Sequence, residues 1–196
     1  DEQKAKYYGR LASGEMIAAF CLTEPGAGSD AASVRTTARR DGDDWILSGQ
    51  KTWVTNAAVA DFFTIAAMVD RAKGLAGIDL FLVERSTPGL SVGKEIEKLG
   101  TRGTATAEIF LEECALPADR LLGMVEKQTA RDGARDVFHS ERTGMAPMCF
   151  GIIERCLEVA TAYAKERVTW GKPIAEYQLV QEKLARMYMH LQNVQN

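Results

Sequence analysis

The spacing of apolar and polar residues changes character twice along the chain. In residues 1–13, Lys4, Tyr7, Tyr8 and Leu11 give a short amphipathic helix pattern that Ser13-Gly14 stops. From residue 16 to about 117 the period is that of strands. Candidate strands are 16–22, 34–39, 45–47, 51–54, 62–69, 78–84, 91–94 and 104–111. Asp41-Gly42-Asp43-Asp44 reads as a turn, Ser48-Gly49 as the link between 45–47 and 51–54, and Ser86-Thr87-Pro88-Gly89 as a breaker. Many short strands separated by turns predict an antiparallel β-sandwich or barrel.

After Pro117 the period becomes helical. Residues 132–167 read as a helix, with Ile152, Cys156, Val159 and Tyr163 on one stripe. Pro147 inside it predicts a bend or a helix start, because a mid-helix proline costs about 3 kcal/mol. Trp170-Gly171-Lys172-Pro173 reads as a connector. A second helix from Ala175 puts Val180, Leu184, Met187, Leu191 and Val194 on one face. Two helices cannot bury faces this wide by themselves, so a larger bundle is expected. The fold class is therefore α+β: an antiparallel β-sandwich or barrel as middle domain, then the start of an α-helical bundle, with both chain ends looking cut. The expected division is 1–14 as the end of a helical domain, 15–120 as the β-domain and 121–196 as the first bundle helices.

Composition narrows the function. The 196 residues are 46% hydrophobic and 26% charged, enough for one or two domains with a real core. A net charge of −3 argues against a generic nucleic-acid binder, which would be basic. No stretch approaches the roughly 20 apolar residues that span a bilayer. The polar start, Asp1-Glu2-Gln3-Lys4, is not a signal peptide. Of the cysteines, Cys21, Cys149 and Cys156 lie in apolar surroundings and are expected as buried free thiols, which suits a reducing compartment. His139 and His190 are far apart and form no ligand pattern, so no metal is expected.

The most informative stretch is Cys21-Leu22-Thr23-Glu24-Pro25-Gly26-Ala27-Gly28-Ser29-Asp30, where a strand runs into a turn. Gly26 and Gly28 permit conformations that other residues resist, and free backbone N–H groups there would make a nest for an anion or a ring edge. The same composition also fits an ordinary turn. It is not a nucleotide fingerprint, since it has neither G-x-G-x-x-G nor G-x-x-x-x-G-K.

This run, with Ser33 after it, resembles the first signature of the acyl-CoA dehydrogenases. Gly49-Gln50-Lys51-Thr52-Trp53-Val54-Thr55-Asn56 resembles a second. Arg167-Val168-Thr169-Trp170-Gly171-Lys172-Pro173-Ile174, then Tyr177-Gln178, resembles a third. The motifs stand in the family's order, and the resemblance covers nearly the whole chain. It implies an FAD enzyme that converts an acyl-CoA thioester to a trans-2-enoyl-CoA and passes electrons to an electron-transferring flavoprotein. It also implies a homo-oligomer, usually a dimer of dimers, in the cytoplasm or a mitochondrial matrix. An acyl-CoA oxidase of the same fold, or a fragment that binds flavin or acyl-CoA without turnover, are the alternatives.

At matched positions the resemblance puts Phe20, Leu22 and Thr23 along the flavin ring, with Phe20 where a Tyr is common. Gly28 and Ser29 would approach the pyrophosphate, and Trp53 and Thr55 would cover the opposite ring face. Taken alone, Trp53 reads as core and Thr55 as a strand residue. Arg167, Thr169, Trp170 and Gln178 would reach the FAD of a neighbouring subunit; alone, Arg167 is a cation at a helix C-terminus. Ser29 and Arg142 would contact acyl-CoA. His139 stands where some members carry an Asp, and the segment 124–134 departs from the family's G-x-G-F pattern. Most members take their catalytic Glu from a later segment than this chain contains. A minority place it just before the helix Arg, which here is Glu141, whose other reading is a solvated or Arg142-paired residue. Glu24, within the loop motif, is expected to be structural.

Overall fold

The computed structural model describes residues 2–123 and 130–196, with side chains throughout except at 130–138. The chain forms two compact units, the first ending at Asp132 and the second beginning at Gly133.

In the first unit, helix α1 (Glu2–Ser13) ends at Gly14, whose φ of +76° suits glycine. The strands follow: β1 (Ala18–Cys21), β2 (Thr37–Asp41), β3 (Asp44–Thr55), β4 (Phe62–Met68), β5 (Ile78–Glu84), β6 (Leu90–Val92) and β7 (Thr106–Leu116). They make one sheet in the order β1-β4-β2-β3-β7-β6, with β5 paired to β4. Most neighbours are antiparallel, as the alternation predicts, but β1 runs parallel to β4 and β2 touches β4 in parallel at one position. The curled sheet wraps a core that includes Trp45, Leu47, Phe63, Ile65, Phe81, Val83 and Ile109, all at most 1% exposed.

The segments 45–47 and 51–54 are one continuous strand, not two linked by Ser48-Gly49. Gly49 is the reason. A Cβ there would lie 2.5 Å from Thr36 Oγ1 and 2.6 Å from Thr36 Cα, so glycine serves close approach of two strands rather than reversal. Two register shifts interrupt the pairing of β3 with β7, between Leu47 and Gly49 and between Lys51 and Val54. The second contains Trp53 in the left-handed region, φ +57°.

Helix α1 is clamped to the sheet. Tyr7 packs against Phe62 with ring centroids 4.8 Å apart. Gln3 Nε2 donates to the carbonyls of Asp119 (2.6 Å) and Leu121 (2.8 Å), and Gln3 Oε1 accepts from the Gly123 amide. Glu84, at the end of β5, accepts from Lys6 (2.8 Å), Arg120 (2.9 Å) and the Tyr7 hydroxyl (3.2 Å). The Lys6 hydrogen bond, helped by the Arg120 charge and opposed by partial burial, lowers the Glu84 carboxyl to about 2 from an ordinary 4.5. This depressed value makes the pairing stabilising above pH 4.5 and removes its contribution as pH falls towards about 2. Thermal melts of the wild type and Glu84→Gln should therefore differ at neutral pH and converge across that window. A constant gap would show that the pairing adds nothing.

In the second unit, helix α2 (Ala130–Glu166) is followed by a small hairpin of β8 (Val168–Thr169) and β9 (Lys172–Pro173), then helix α3 (Gln178–Gln195). The expected connector is thus this hairpin, turned by Trp170 at φ +55° and Gly171 at φ +78°. Pro147 neither begins nor ends α2; a helix this long carries the loss of one backbone hydrogen bond. The stripe Ile152, Cys156, Val159 and Tyr163 is exposed, and so is Cys149. The expectation that Cys149 and Cys156 are buried is corrected accordingly, because two helices and a hairpin supply too little surface to cover both faces. Cys21 is buried as expected, and so is Cys114. Among the described residues no helix is long and apolar enough to cross a membrane.

Candidate functional site

Strand β1 sets the first wall by alternation: Cys21 is fully buried, and Phe20 before it is 40% exposed. Burial pushes the Cys21 thiol up to about 12, against the nearby Lys51 ammonium, so it is an inert core group. Leu22 and Thr23 follow, half-buried. The chain then closes a turn in which the Glu24 amide donates to Ala27 O (2.9 Å) and the Ala27 amide to Glu24 O (3.1 Å). Neither Gly26 nor Gly28 takes positive φ. A Cβ on either would meet no protein atom within 4 Å, so their backbone faces open space. Pro25, Gly28, Ser29 and Asp30 are exposed, and Ser33 Oγ donates to the Asp30 carboxylate.

The second motif is joined to the first by hydrogen bonds. The Thr52 amide donates to Thr23 O at 2.9 Å. Lys51, with no exposed side-chain surface, donates to Glu24 Oε1 at 2.8 Å and to Leu22 O at 3.2 Å. Glu24 also accepts from the backbone amides of Arg35 (2.6 Å) and Thr36 (2.9 Å). Burial opposes charge on Glu24, yet the Lys51 hydrogen bond and the two amides outweigh it and hold the carboxyl below its ordinary value. Burial draws the Lys51 ammonium downwards, with Glu24 working against it. Glu24 is therefore structural, as its place in the loop motif suggests.

Beyond Lys51, the bulge leaves Trp53 59% exposed, and Thr55 is exposed too. The reading of Trp53 as core is excluded. The first unit thus offers Phe20, Leu22, Thr23, Gly28, Ser29, Trp53 and Thr55 at accessible positions on two segments tied by Thr23 and Thr52.

The other candidates lie in the second unit. Glu141 and Arg142 are both exposed on α2, as is His139. Arg167 follows the end of α2, its amide bonded to Tyr163 O and its carbonyl accepting from the Ile174 amide. Tyr177 Oη donates to Thr169 O at 2.7 Å, and Lys172 Nζ sits 4.5 Å from the Tyr177 ring centroid. These contacts shape a hairpin whose tip carries Trp170, 92% exposed. Gln178, the first residue of α3, is exposed. Of the unusual segment 124–134, residues 124–129 lie outside the described residues. Lys51 is the residue that the sequence left unassigned. Its signal was a lysine inside an apolar strand pattern, following an acidic loop residue by 27 positions.

Comparison with known proteins bears on this arrangement. Residues 19–114 match the family model described as acyl-CoA dehydrogenase, middle domain, and residues 132–196 match acyl-CoA dehydrogenase, C-terminal domain. The human mitochondrial short-chain specific acyl-CoA dehydrogenase is 41% identical over 192 residues, 98% of this chain and 46% of that protein. A glutaryl-CoA dehydrogenase from Mycobacterium smegmatis, solved in complex with FADH2, superposes with a TM-score of 0.90 at 40% identity, covering 99% of this chain and 48% of its own. The prolyl acyl carrier protein oxidase AnaB gives a TM-score of 0.92 at 39% identity, covering 98% of this chain and 50% of its own. The chain spans about half the length of the relatives it matches.

Proposed function

The chain belongs to the acyl-CoA dehydrogenase family, and from that premise we propose that the protein catalyses FAD-dependent α,β-dehydrogenation of an acyl-CoA thioester. The product is the trans-2-enoyl-CoA, and the electrons go on to an electron-transferring flavoprotein. The observation that carries the reading is the Thr52–Thr23 hydrogen bond. It joins a loop with open glycine backbone to a strand that presents an exposed, left-handed tryptophan.

These residues fit a flavin. Phe20, Leu22 and Thr23 would line the ring, Trp53 and Thr55 would cover it, and Gly28 and Ser29 would meet the pyrophosphate. FAD, when bound, supplies the two-electron acceptor for the β-hydrogen. The rest falls to this chain. Glu141 would take the α-proton on its carboxylate, and a carboxylate shielded from water by its ligands is a stronger base than a solvated one. Arg142, with Ser29, would hold the acyl-CoA. Arg167, Thr169, Trp170 and Gln178 would serve the cofactor of a second subunit, which makes the protein a homo-oligomer, a dimer of dimers in this reading. A guanidinium suits pyrophosphate oxygens.

The test is direct. Intact purified protein is expected to carry, or take up, stoichiometric FAD and to bleach anaerobically with an acyl-CoA. Protein that stays colourless with added FAD overturns the reading. A second reading, an oxidase of the same fold, draws on the likeness to the prolyl acyl carrier protein oxidase. Rapid reoxidation of the reduced flavin by oxygen, rather than by an electron-transferring flavoprotein, would favour it.

A further inference from the structure

We propose that Lys51 and Glu24 are a positioning pair that fixes the peptide planes on either side of Thr23 and so sets how the loop meets the flavin. This inference rests on the FAD reading above. Lys51 stands out physically: a lysine without exposed surface, in the strand that carries Trp53 and Thr55. Its ammonium holds two groups of the first motif, the Glu24 carboxylate and the Leu22 carbonyl. In a trans peptide the carbonyl and the following N–H point in opposite directions. Holding Leu22 O towards Lys51 therefore fixes the direction of the Thr23 amide. The next carbonyl, Thr23 O, is held by Thr52, the chain neighbour of Lys51. Both peptide planes that flank Thr23 are thus referred to one short stretch of β3.

Glu24 completes the device. Its oxygens gather the Arg35 and Thr36 amides as well as Lys51, so one carboxylate anchors the far side of the loop. A buried ion pair is a poor means of gaining stability, because apolar or neutral replacements often serve as well. What it provides here is direction: three segments distant in sequence, 22–24, 35–36 and 51–52, share a single hydrogen-bonded centre.

The test compares the intact wild-type protein with Lys51→Met and with the double variant Lys51→Met/Glu24→Gln. In the double variant no charge is buried and the grip on Leu22 O is lost, while the new side-chain amide, with a single oxygen, accepts from only one of the Arg35 and Thr36 amides. It is expected to fold, melting somewhat below wild type for the one amide left without an acceptor, and to bind FAD about tenfold or more weakly, the penalty for a misoriented site. The visible absorption band of the bound flavin should change shape and its reduction potential should shift. Wild-type affinity, band and potential in a folded double variant would overturn the positioning role. If the double variant does not fold, Lys51→Met at saturating FAD carries the same readouts: an altered band supports the proposal and an unaltered one overturns it. A wild-type protein that takes up no FAD removes the functional reading and this one with it. A wild type that binds FAD beside unaffected variants removes this one alone.

Discussion

Glu141→Gln is expected to slow anaerobic bleaching of the flavin by acyl-CoA by roughly 10²- to 10⁴-fold, the range for loss of a general base. FAD should stay bound, because Glu141, on α2, is none of the residues proposed to hold the ring. Glutamine keeps the size of the side chain and its helix propensity, so the helix is not disturbed. What it loses is the ability to take a proton at neutral pH. Rapid-mixing spectroscopy of the variant, with the FAD content measured in parallel, separates chemistry from binding. Bleaching at the wild-type rate would assign the α-proton to another carboxylate and leave Glu141 as a solvated neighbour of Arg142.

Phe63→Ala should cost about 3–5 kcal/mol, the usual toll for emptying a large aromatic site in a core. Phe63 is fully buried on β4, paired with Ala19 of β1 on one side and Val83 of β5 on the other. All three residues are at most 5% exposed, so they share the core-facing side of the sheet. Small Ala19 cannot move to fill the void. Urea unfolding gives the loss directly, and Phe63→Leu, which keeps most of the volume, should lose far less. A loss below about 1 kcal/mol for the alanine variant would mean that the sheet collapses onto the site, contrary to close packing.

The sequence made the strand-rich middle, the helical remainder and both ends of the tight β2–β3 turn legible, because alternation and helical spacing report burial on one face. It misread Ser48-Gly49 as a link between two strands because glycine looks the same whether it interrupts a strand or admits a neighbouring backbone. It misread Cys149 and Cys156 because an apolar stripe says that a face seeks cover, not that the same unit provides it. At the site, the family motifs named the exposed Phe20, Trp53 and Thr55. The tie between the motifs was hidden, since a lysine in a strand pattern normally signals solvent, and only the fold brings Glu24 beneath it.

The parallel pairing of β1 with β4 has a kinetic corollary. The β2–β3 and β4–β5 pairs join strands close in sequence, whereas Ile17 finds Asp61 across 44 positions. Closing so long a loop costs entropy before its contacts repay it. The strand that delivers Phe20 and Thr23 is therefore expected to join a sheet already nucleated elsewhere. On that order of events the locally paired strands form before the chain has any place for a cofactor, and binding competence emerges late in folding.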